Sequence, residues 1–341
     1  MIPCCCHRPA GRDHLSDRWA CGGVALLLAL LSGASLQAQV FETVGVRALG
    51  MGGAFVAVAD DASANYWNPA GVAGVFFSGV LDVQQTDTRL GSDPLGRQGT
   101  SHLTTFASLA SQSLGLSYYR VRGWQVRRSA EMGDQATLAS LVTQHVGLTV
   151  LQPVTPGIMV ATVLKTVRGT AAVGFADAML PIATLHEAAS ELPGRSTTRF
   201  DLDFGVMLGA DAFKLGFVAR NVREPEFVLA DDSIVRLRRQ LRVGIAIRPS
   251  PTLTIASDAD LTTTTDVAGP RRNLTLGAEQ RLGRVLLRAG GRVNREDSNH
   301  SPVGTLGMSL QVTSGFWVDS QFTGGRDEGD RGWGVATRFG V

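Results

Sequence analysis

The stretch GVRALGMGGAFVAVADDASANYWNPAGVAG, residues 45–74, is denser in glycine, alanine and turn-forming residues than any other part of the chain. Its clearest local signal is Asn68 followed by Pro69. Asn is a preferred helix N-cap, Pro is favoured at the first helical position, and the residue before a Pro is held in the extended conformation that an N-cap needs. The pair therefore predicts a short helix that starts at Pro69 and ends near Gly74.

Upstream of this helix, the same stretch carries signals for a second turn and a tight bend. Asp60 or Asp61 can cap a short helical turn, and Gly50, Gly52 and Gly53 permit a bend or a close backbone approach. The stretch is either a folded plug or a surface loop with two helical turns, and the rest of the chain has to decide between them.

From residue 75 onward, apolar and polar residues alternate with the period of a β-strand. In residues 200–208, for example, Phe200, Leu202 and Phe204 alternate with Asp201 and Asp203. Fourteen such strands can be placed, each close to the roughly 9–11 residues that a tilted strand needs to cross a bilayer. One missed or split hairpin would make the number 12 or 16. The predicted strands are residues 75–88, 102–110, 114–122, 144–153, 156–168, 198–209, 212–222, 239–249, 251–261, 271–282, 284–294, 301–312, 315–323 and 331–341.

The connections between these strands alternate between tight turns and longer segments, as in outer-membrane barrels with short periplasmic turns and longer external loops. Eight strands can be filled by their own side chains, whereas sixteen leave an aqueous channel. Fourteen strands should leave a lumen that about 30 residues can block. The predicted fold is therefore all-β, a transmembrane antiparallel β-barrel of about 14 strands with an N-terminal plug, or hatch, in the lumen.

The first 38 residues have the order of a secretory signal peptide. Arg8, Arg12 and Arg18 precede an apolar run at residues 24–31, and small residues then offer cleavage after Ala34 or Ala38. All four cysteines, at positions 4, 5, 6 and 21, lie in this segment, so we expect a thiol-free exported chain. The predicted domains are a signal peptide at 1–38, a hatch at 39–74 and an outer-membrane barrel at 75–341.

The pattern RALGMGGA, DDA and NPAG within residues 47–71 resembles the N-terminal hatch of the FadL-type outer-membrane transporter superfamily, and most closely that of its shorter PorV/PorQ-like branch. The resemblance covers roughly 30 residues. It implies that the NPA element at Asn68, Pro69 and Ala70 holds the shape of the hatch and does not bind ligand. The residues expected to shape the hatch are Gly50, Gly52, Gly53, Asn68, Pro69, Ala70 and Gly71.

Charged residues on the presumed inner faces of the strands need partners, because an Arg on a lipid face near the midplane costs about 2–4 kcal/mol. We expect Arg47, Asp60 and Asp61 of the hatch to contact these wall charges, either as structural braces or as part of a ligand-selecting lumen. The wall charges expected to face inward are Asp201, Asp203, Arg242, Arg248, Glu279, Arg281, Arg284, Arg288, Arg292 and Asp319.

Two external segments differ from the others. Residues 128–142 have a helix-forming composition, with Leu138, Leu141 and Val142 on one face. Residues 171–192 are unusually apolar for a loop and predict a hydrophobic patch at the mouth, which would bind a ligand or a partner. The alternative is that the two loops pack on each other. The residues expected in the patch are Phe175, Met179, Leu180 and Ile182.

Catalysis, metal binding and nucleic-acid binding find little support in the sequence. His145 opens a predicted strand, but no serine has a matching position from which a nucleophile could face it. His186 and Glu187 do not form an HExxH zinc motif. The net charge of +2 is not concentrated in a basic patch. We predict no enzyme activity, no cofactor, no metal and no nucleic-acid partner.

Three functions remain open. The FadL-type resemblance implies passive transport of hydrophobic, fatty-acid-like small molecules across the outer membrane of a diderm bacterium. The PorV/PorQ-like branch implies a component that handles exported proteins in type IX secretion. The third is a structural barrel. The expected partners are outer-membrane lipid, a hydrophobic small molecule or an exported protein, and the outer-membrane assembly machinery during insertion.

Overall fold

The computed structural model describes residues 44–89, 99–128, 134–210, 212–228, 234–266, 269–296, 302–325 and 330–340. The predicted signal peptide, its cleavage sites and the start of the predicted hatch lie outside these ranges. No helix in the described ranges is both long enough and apolar enough to cross a membrane.

Fourteen antiparallel strands close into one barrel, so the predicted fold class and strand number are confirmed. The last strand pairs with the first along ten residues, from Ser78 opposite Gly340 to Asp87 opposite Arg331. The barrel strands are β1 (Phe77–Arg89), β2 (Gly99–Ser111), β3 (Leu114–Arg128), β4 (Gln135–Thr155), β5 (Ile158–Asp177), β6 (Arg195–Ala210), β7 (Phe213–Arg220), β10 (Gln240–Ser250), β11 (Leu253–Asp260), β14 (Asn273–Leu282), β15 (Val285–Asn294), β16 (Val303–Thr313), β17 (Phe316–Gly325) and β18 (Arg331–Gly340).

The two ends of the barrel differ. Tight connections and both ends of the strand array lie at one end, here named the turn end, and the longer connections lie at the other, the loop end. Four further short strands form two hairpins at the loop end, where the sequence pattern predicted only loops. They are β8 (Glu226–Val228) with β9 (Ile234–Arg236), and β12 (Thr264–Asp266) with β13 (Gly269–Arg271).

The wall is much taller on one side. Strands β4 and β5 have 21 and 20 residues, whereas β7 and β11 have 8 each. The helical interpretation of residues 128–142 is wrong for its described part, because residues 135–142 belong to β4 and are hydrogen-bonded to strands on both sides. The ladder to β3 and β5 outweighs the local helix propensity of this segment.

Most outward positions of the strands are apolar, and most inward positions are polar, small or covered. Leu116, Val146 and Leu306 are 56%, 56% and 64% exposed, whereas Asp258, Arg242 and Ser309 are almost fully buried. The strands therefore present the apolar outer face and polar lumen of a membrane barrel.

Residues 44–75 lie inside this barrel and are referred to below as the plug. Nearly all of them are buried, and they pack against inward-facing side chains close to the turn end. The plug contains helix α1 (Val46–Gly50), helix α2 (Ala64–Trp67) and a 3₁₀ helix (Pro69–Gly74). One longer helix, α3 (Ile182–Ser190), follows β5 at the loop end.

Candidate functional site

The 3₁₀ helix of the plug starts as the sequence predicts. The Asn68 side chain accepts a hydrogen bond from the Ala70 backbone N–H at 3.2 Å, and Pro69 occupies the first helical position. The Asn68 amide nitrogen also donates to the carbonyl of Val56 within the plug and to that of Val206 on β6. Asn68 therefore caps its helix and fixes it to the wall with one side chain.

The turn before α2 is closed by Asp61, which accepts hydrogen bonds from the backbone N–H and the hydroxyl of Ser63. Gly71 allows the 3₁₀ helix to touch the segment before α2, since a Cβ at Gly71 would lie 1.9 Å from the carbonyl oxygen of Ala59. The plug is thus a folded unit with its own caps and contacts.

The bend at residues 50–53 requires glycine. Gly52 and Gly53 have φ angles of 72° and 87°, in the left-handed region that side chains disfavour. Gly52 is also pressed against the wall, because a Cβ there would lie 2.5 Å from the backbone nitrogen of Gly291 on β15. Glycine is therefore required at this bend both by the positive φ angles and by the close approach of Gly52 to the wall.

Arg47 lies at the centre of a buried charge cluster. Its guanidinium binds both carboxylate oxygens of Glu279 on β14, with N–O distances of 2.9 and 2.7 Å. It also pairs with Asp60 and Asp61 of the plug. Glu279 in turn accepts from Arg288 on β15. The two plug carboxylates come within 3.9 Å of the wall arginines Arg248 and Arg338, respectively.

Two wall carboxylates bind the plug backbone directly. Asp82 on β1 accepts hydrogen bonds from the N–H groups of Gly45 and Val46, at the start of α1. Asp258 on β11 accepts from the N–H groups of Phe55 and Val56. Helix starts and bends leave such N–H groups without partners, so a wall carboxylate at each point satisfies them.

Many of the other close contacts between plug and wall involve wall glycines. Eight inward-facing glycines, on eight different strands, would each place an added Cβ within 3.1 Å of a plug atom. At Gly277, for example, the Cβ would lie 2.2 Å from the carbonyl oxygen of Met51. This set, referred to below as the glycine belt, comprises Gly115, Gly205, Gly216, Gly244, Gly277, Gly290, Gly307 and Gly334.

The sequence-based reasoning missed Asp82, Asp258 and the glycine belt. The available signal was a glycine or an aspartate at an inward position, which for all of these residues except Gly115 lies three to six residues from the turn end of its strand. Of the wall charges it did place inward, Arg281 and Arg284 are exposed beside a tight turn and do not reach the plug.

Beyond the plug, toward the loop end, the lumen contains buried polar contacts. Lys165 pairs with Asp201 and Asp203 at 3.1 and 2.6 Å. The Arg220 guanidinium lies 3.5 Å from the ring centre of Tyr66 in the plug.

His145 also faces the lumen and is fully buried. Its ring stacks on Tyr119 at 4.0 Å, and neither ring nitrogen has a hydrogen-bond partner in the described chain. No serine–histidine pair is therefore formed there.

Each of the two hairpins at the loop end makes a buried contact with the barrel. Phe227 of β8 is fully buried against β5, where a Cβ at Gly169 would lie 2.4 Å from its ring. Asp330, just before β18, binds Arg271 of β13 and Arg292 of β15. Burial opposes ionisation of Asp330, but the two guanidinium groups outweigh it and hold the pKa of the carboxyl well below its usual range.

The residues of the predicted apolar patch lie on different faces of the tall wall. Phe175 is 61% exposed and follows the inward alternation of β5, and Met179 and Leu180 are exposed in the turn after β5. Ile182 instead packs with Leu185 of α3 in an apolar cluster against the outward side of β3 and β4. A ligand-binding role for this patch stays a prediction.

Among the described residues, no group of three or more His, Cys, Asp or Glu side chains is arranged to hold a metal ion. The contacts between plug and wall can hold the plug inside the closed barrel, through wall carboxylates and through close approach at wall glycines. In the described part of the chain, no nucleophile and base are arranged as a catalytic pair.

Comparison with known proteins gives a short family match and several similar solved structures. Residues 182–260 match the family model described as "F plasmid transfer operon, TraF, protein". No curated protein matches the chain in sequence.

Among solved structures, the CymD monoaromatic hydrocarbon channel aligns with a TM-score of 0.63 at 13% identity, covering 89% of this chain and 99% of that one. The Ralstonia pickettii toluene transporter TbuX gives 0.63 at 14% identity, with 89% and 100% covered. A Pseudomonas aeruginosa FadL homologue gives 0.61 at 11%, with 89% and 99% covered. At this level of identity the similarity establishes the fold alone, and the chain shares its closed barrel fold with these three proteins.

Proposed function

We propose that the chain is an outer-membrane channel for hydrophobic small molecules, with the plug closing the lumen between passages. The observation that carries this proposal is the plug itself, a capped and folded unit that touches the wall around most of the barrel near the turn end. Such a unit has to move or rearrange before a solute can pass. The proteins of similar fold are described as a monoaromatic hydrocarbon channel and a toluene transporter, which supports hydrophobic cargo.

The experiment is uptake of a fluorescent long-chain acyl probe and of toluene into proteoliposomes that contain the mature chain. The expected mature chain has no cysteine, so a reversible tether can be introduced cleanly. A Cβ at Gly334 would lie 2.9 Å from a Val46 methyl group, which suits a disulfide between Val46→Cys and Gly334→Cys. We expect saturable uptake that oxidation of the tether blocks and reduction restores.

A second candidate function is the handling of exported proteins, as the PorV/PorQ-like resemblance implies. The exposed Phe175 and Met179 at the top of the tall wall favour it, because protruding apolar side chains suit a protein partner. A folded barrel that takes up neither probe would favour this candidate. Phe175→Asp, with Phe175→Leu as the matched control, would then be expected to weaken partner capture without changing barrel stability.

A further inference from the structure

A group of arginines lies on the outward side of the tall wall, where most side chains are apolar. Arg120 and Arg122 of β3 alternate with the lumen-facing Tyr119 and Val121, and Arg168 of β5 follows the lumen-facing Val167. The three arginines therefore face away from the lumen. Arg168 is exposed, and the other two are partly exposed.

Strand register places two of these arginines in one row. Arg120 is directly opposite Gln144 of β4, and Gln144 is directly opposite Arg168. Two strand spacings separate Arg120 from Arg168, which is roughly 9–10 Å. Arg122 lies one outward position further along β3 and is opposite Val142. The three arginines thus span a surface about as wide as a lipid headgroup.

The row marks the upper edge of the apolar outer face. One outward position below Arg120 and Gln144 lie Tyr118 and Val146, which are 42% and 56% exposed. Above the row, α3 packs through Leu185 and Ala189 on Val126 and Leu138. The arginines therefore occupy a slot between the apolar face and a helical shelf, where a lipid headgroup would lie.

The positive charge of this slot is not neutralised by the described chain. None of the ion pairs among the described residues includes Arg120, Arg122 or Arg168. The Arg120 Nε atom is buried and has no hydrogen-bond partner. Phosphate is a typical partner of an arginine guanidinium group, and basic residues at a membrane surface bind anionic lipid headgroups.

We propose that this slot binds a phosphorylated glycolipid of the outer leaflet, of the lipid A type, with its phosphates on the arginine row. Its acyl chains lie on the outward face formed by Leu116, Tyr118, Val146 and Leu164, all of which are more than 40% exposed. The slot lies on the side of the apolar outer face that is nearer the loop end, and the loop end faces the cell exterior in barrels of this kind. The inference rests on the outer-membrane location in the proposed function, and not on transport.

The test is binding of purified lipid A to the detergent-solubilised mature chain, followed by native mass spectrometry. We expect a retained lipid A and a loss of affinity of about 10- to 100-fold when Arg120, Arg122 and Arg168 are all changed to Ser. A matched triple variant removes three exposed arginines away from the slot, Arg238, Arg295 and Arg331, and should bind as the parent does. The variant Arg120→Lys/Arg122→Lys/Arg168→Lys keeps the three positive charges and should keep most of the affinity.

Four results would overturn the proposal: equal binding by the Ser triple, equal binding of dephosphorylated lipid A, equal binding of phosphatidylglycerol, and full competition by millimolar inorganic phosphate. Equal binding of dephosphorylated lipid A would mean that only the acyl chains are recognised. Equal binding of phosphatidylglycerol would mean that the slot binds phospholipid. Uptake into proteoliposomes is measured separately. Binding without uptake would remove the transport proposal alone, and uptake without binding would remove the lipid proposal alone.

Discussion

Two kinds of contact between the plug and the wall differ chemically. At Asp82, Asp258 and Glu279 a wall carboxylate reaches inward and binds plug N–H groups or the Arg47 guanidinium. At the glycine belt the wall withdraws its side chains, and plug and strand backbones touch. Carboxylate contacts have a defined direction and hold particular plug atoms, whereas glycine contacts only require space. The difference indicates that the carboxylates set the position of the plug and the belt sets its tight fit.

The largest effect is expected from breaking the Arg47–Glu279 pair. Glu279→Leu removes the carboxylate that Arg47 and Arg288 share, and leaving a buried charge unpaired costs about 3–5 kcal/mol. Arg47 keeps Asp60 and Asp61, so the lower end of this range applies. We expect the free energy of plug opening, measured by native-state hydrogen exchange over residues 44–75, to fall by that amount. The exchange of barrel strands on the far side, such as β4, should change little.

The double variant Arg47→Met/Glu279→Leu sharpens this prediction, because both single substitutions lose the same Arg47–Glu279 pair. Since Arg47→Met also deprives Asp60 and Asp61 of their partner, the double variant should open more readily than Glu279→Leu, but by less than the sum of the two single effects. Additive effects of the two substitutions would show that the charge pair does not hold the plug.

A smaller effect is expected from adding one methyl group to the glycine belt. A Cβ at Gly277 would lie 2.2 Å from the Met51 carbonyl oxygen, so Gly277→Ala forces the plug or the strand to shift. Overpacking of this kind costs about 1–3 kcal/mol. The matched control is Gly324→Ala on β17, where no atom lies within 4 Å of the added Cβ. Equal exchange in the two variants would mean that the belt does not determine the fit.

The smallest expected effect is that of mild acid on the carboxylate contacts outside the membrane. The pKa of Asp330 is depressed by Arg271 and Arg292, so its clamp is fully formed above the ordinary value of 3.8 and is lost as pH falls through the lower folded value. Protection of the β12–β13 hairpin, corrected for intrinsic exchange, should stay constant from pH 7 to about pH 4. Asp330→Asn should reduce it at every pH. A loss of protection near pH 6 would contradict the ion-pair assignment.

The barrel could be predicted because strand alternation and the lengths of connections are local properties of the sequence. The Asn68–Pro69 cap was predictable for the same reason. Asp82 and Asp258 were not recognised as plug anchors, because their role depends on which strand the plug reaches. Residues 135–142 were misassigned because their helix propensity is local, whereas the ladder that makes them a strand joins them to residues far along β5.

The most direct measurement is the conductance of single barrels in planar bilayers, with and without residues 44–74. We expect the parent chain to be closed to small ions, and the truncated chain to show large, steady openings once its folding has been verified. Arg47→Met/Glu279→Leu should open intermittently, between these two limits. A folded, truncated barrel that conducts no more than the parent would contradict the claim that the plug closes the lumen.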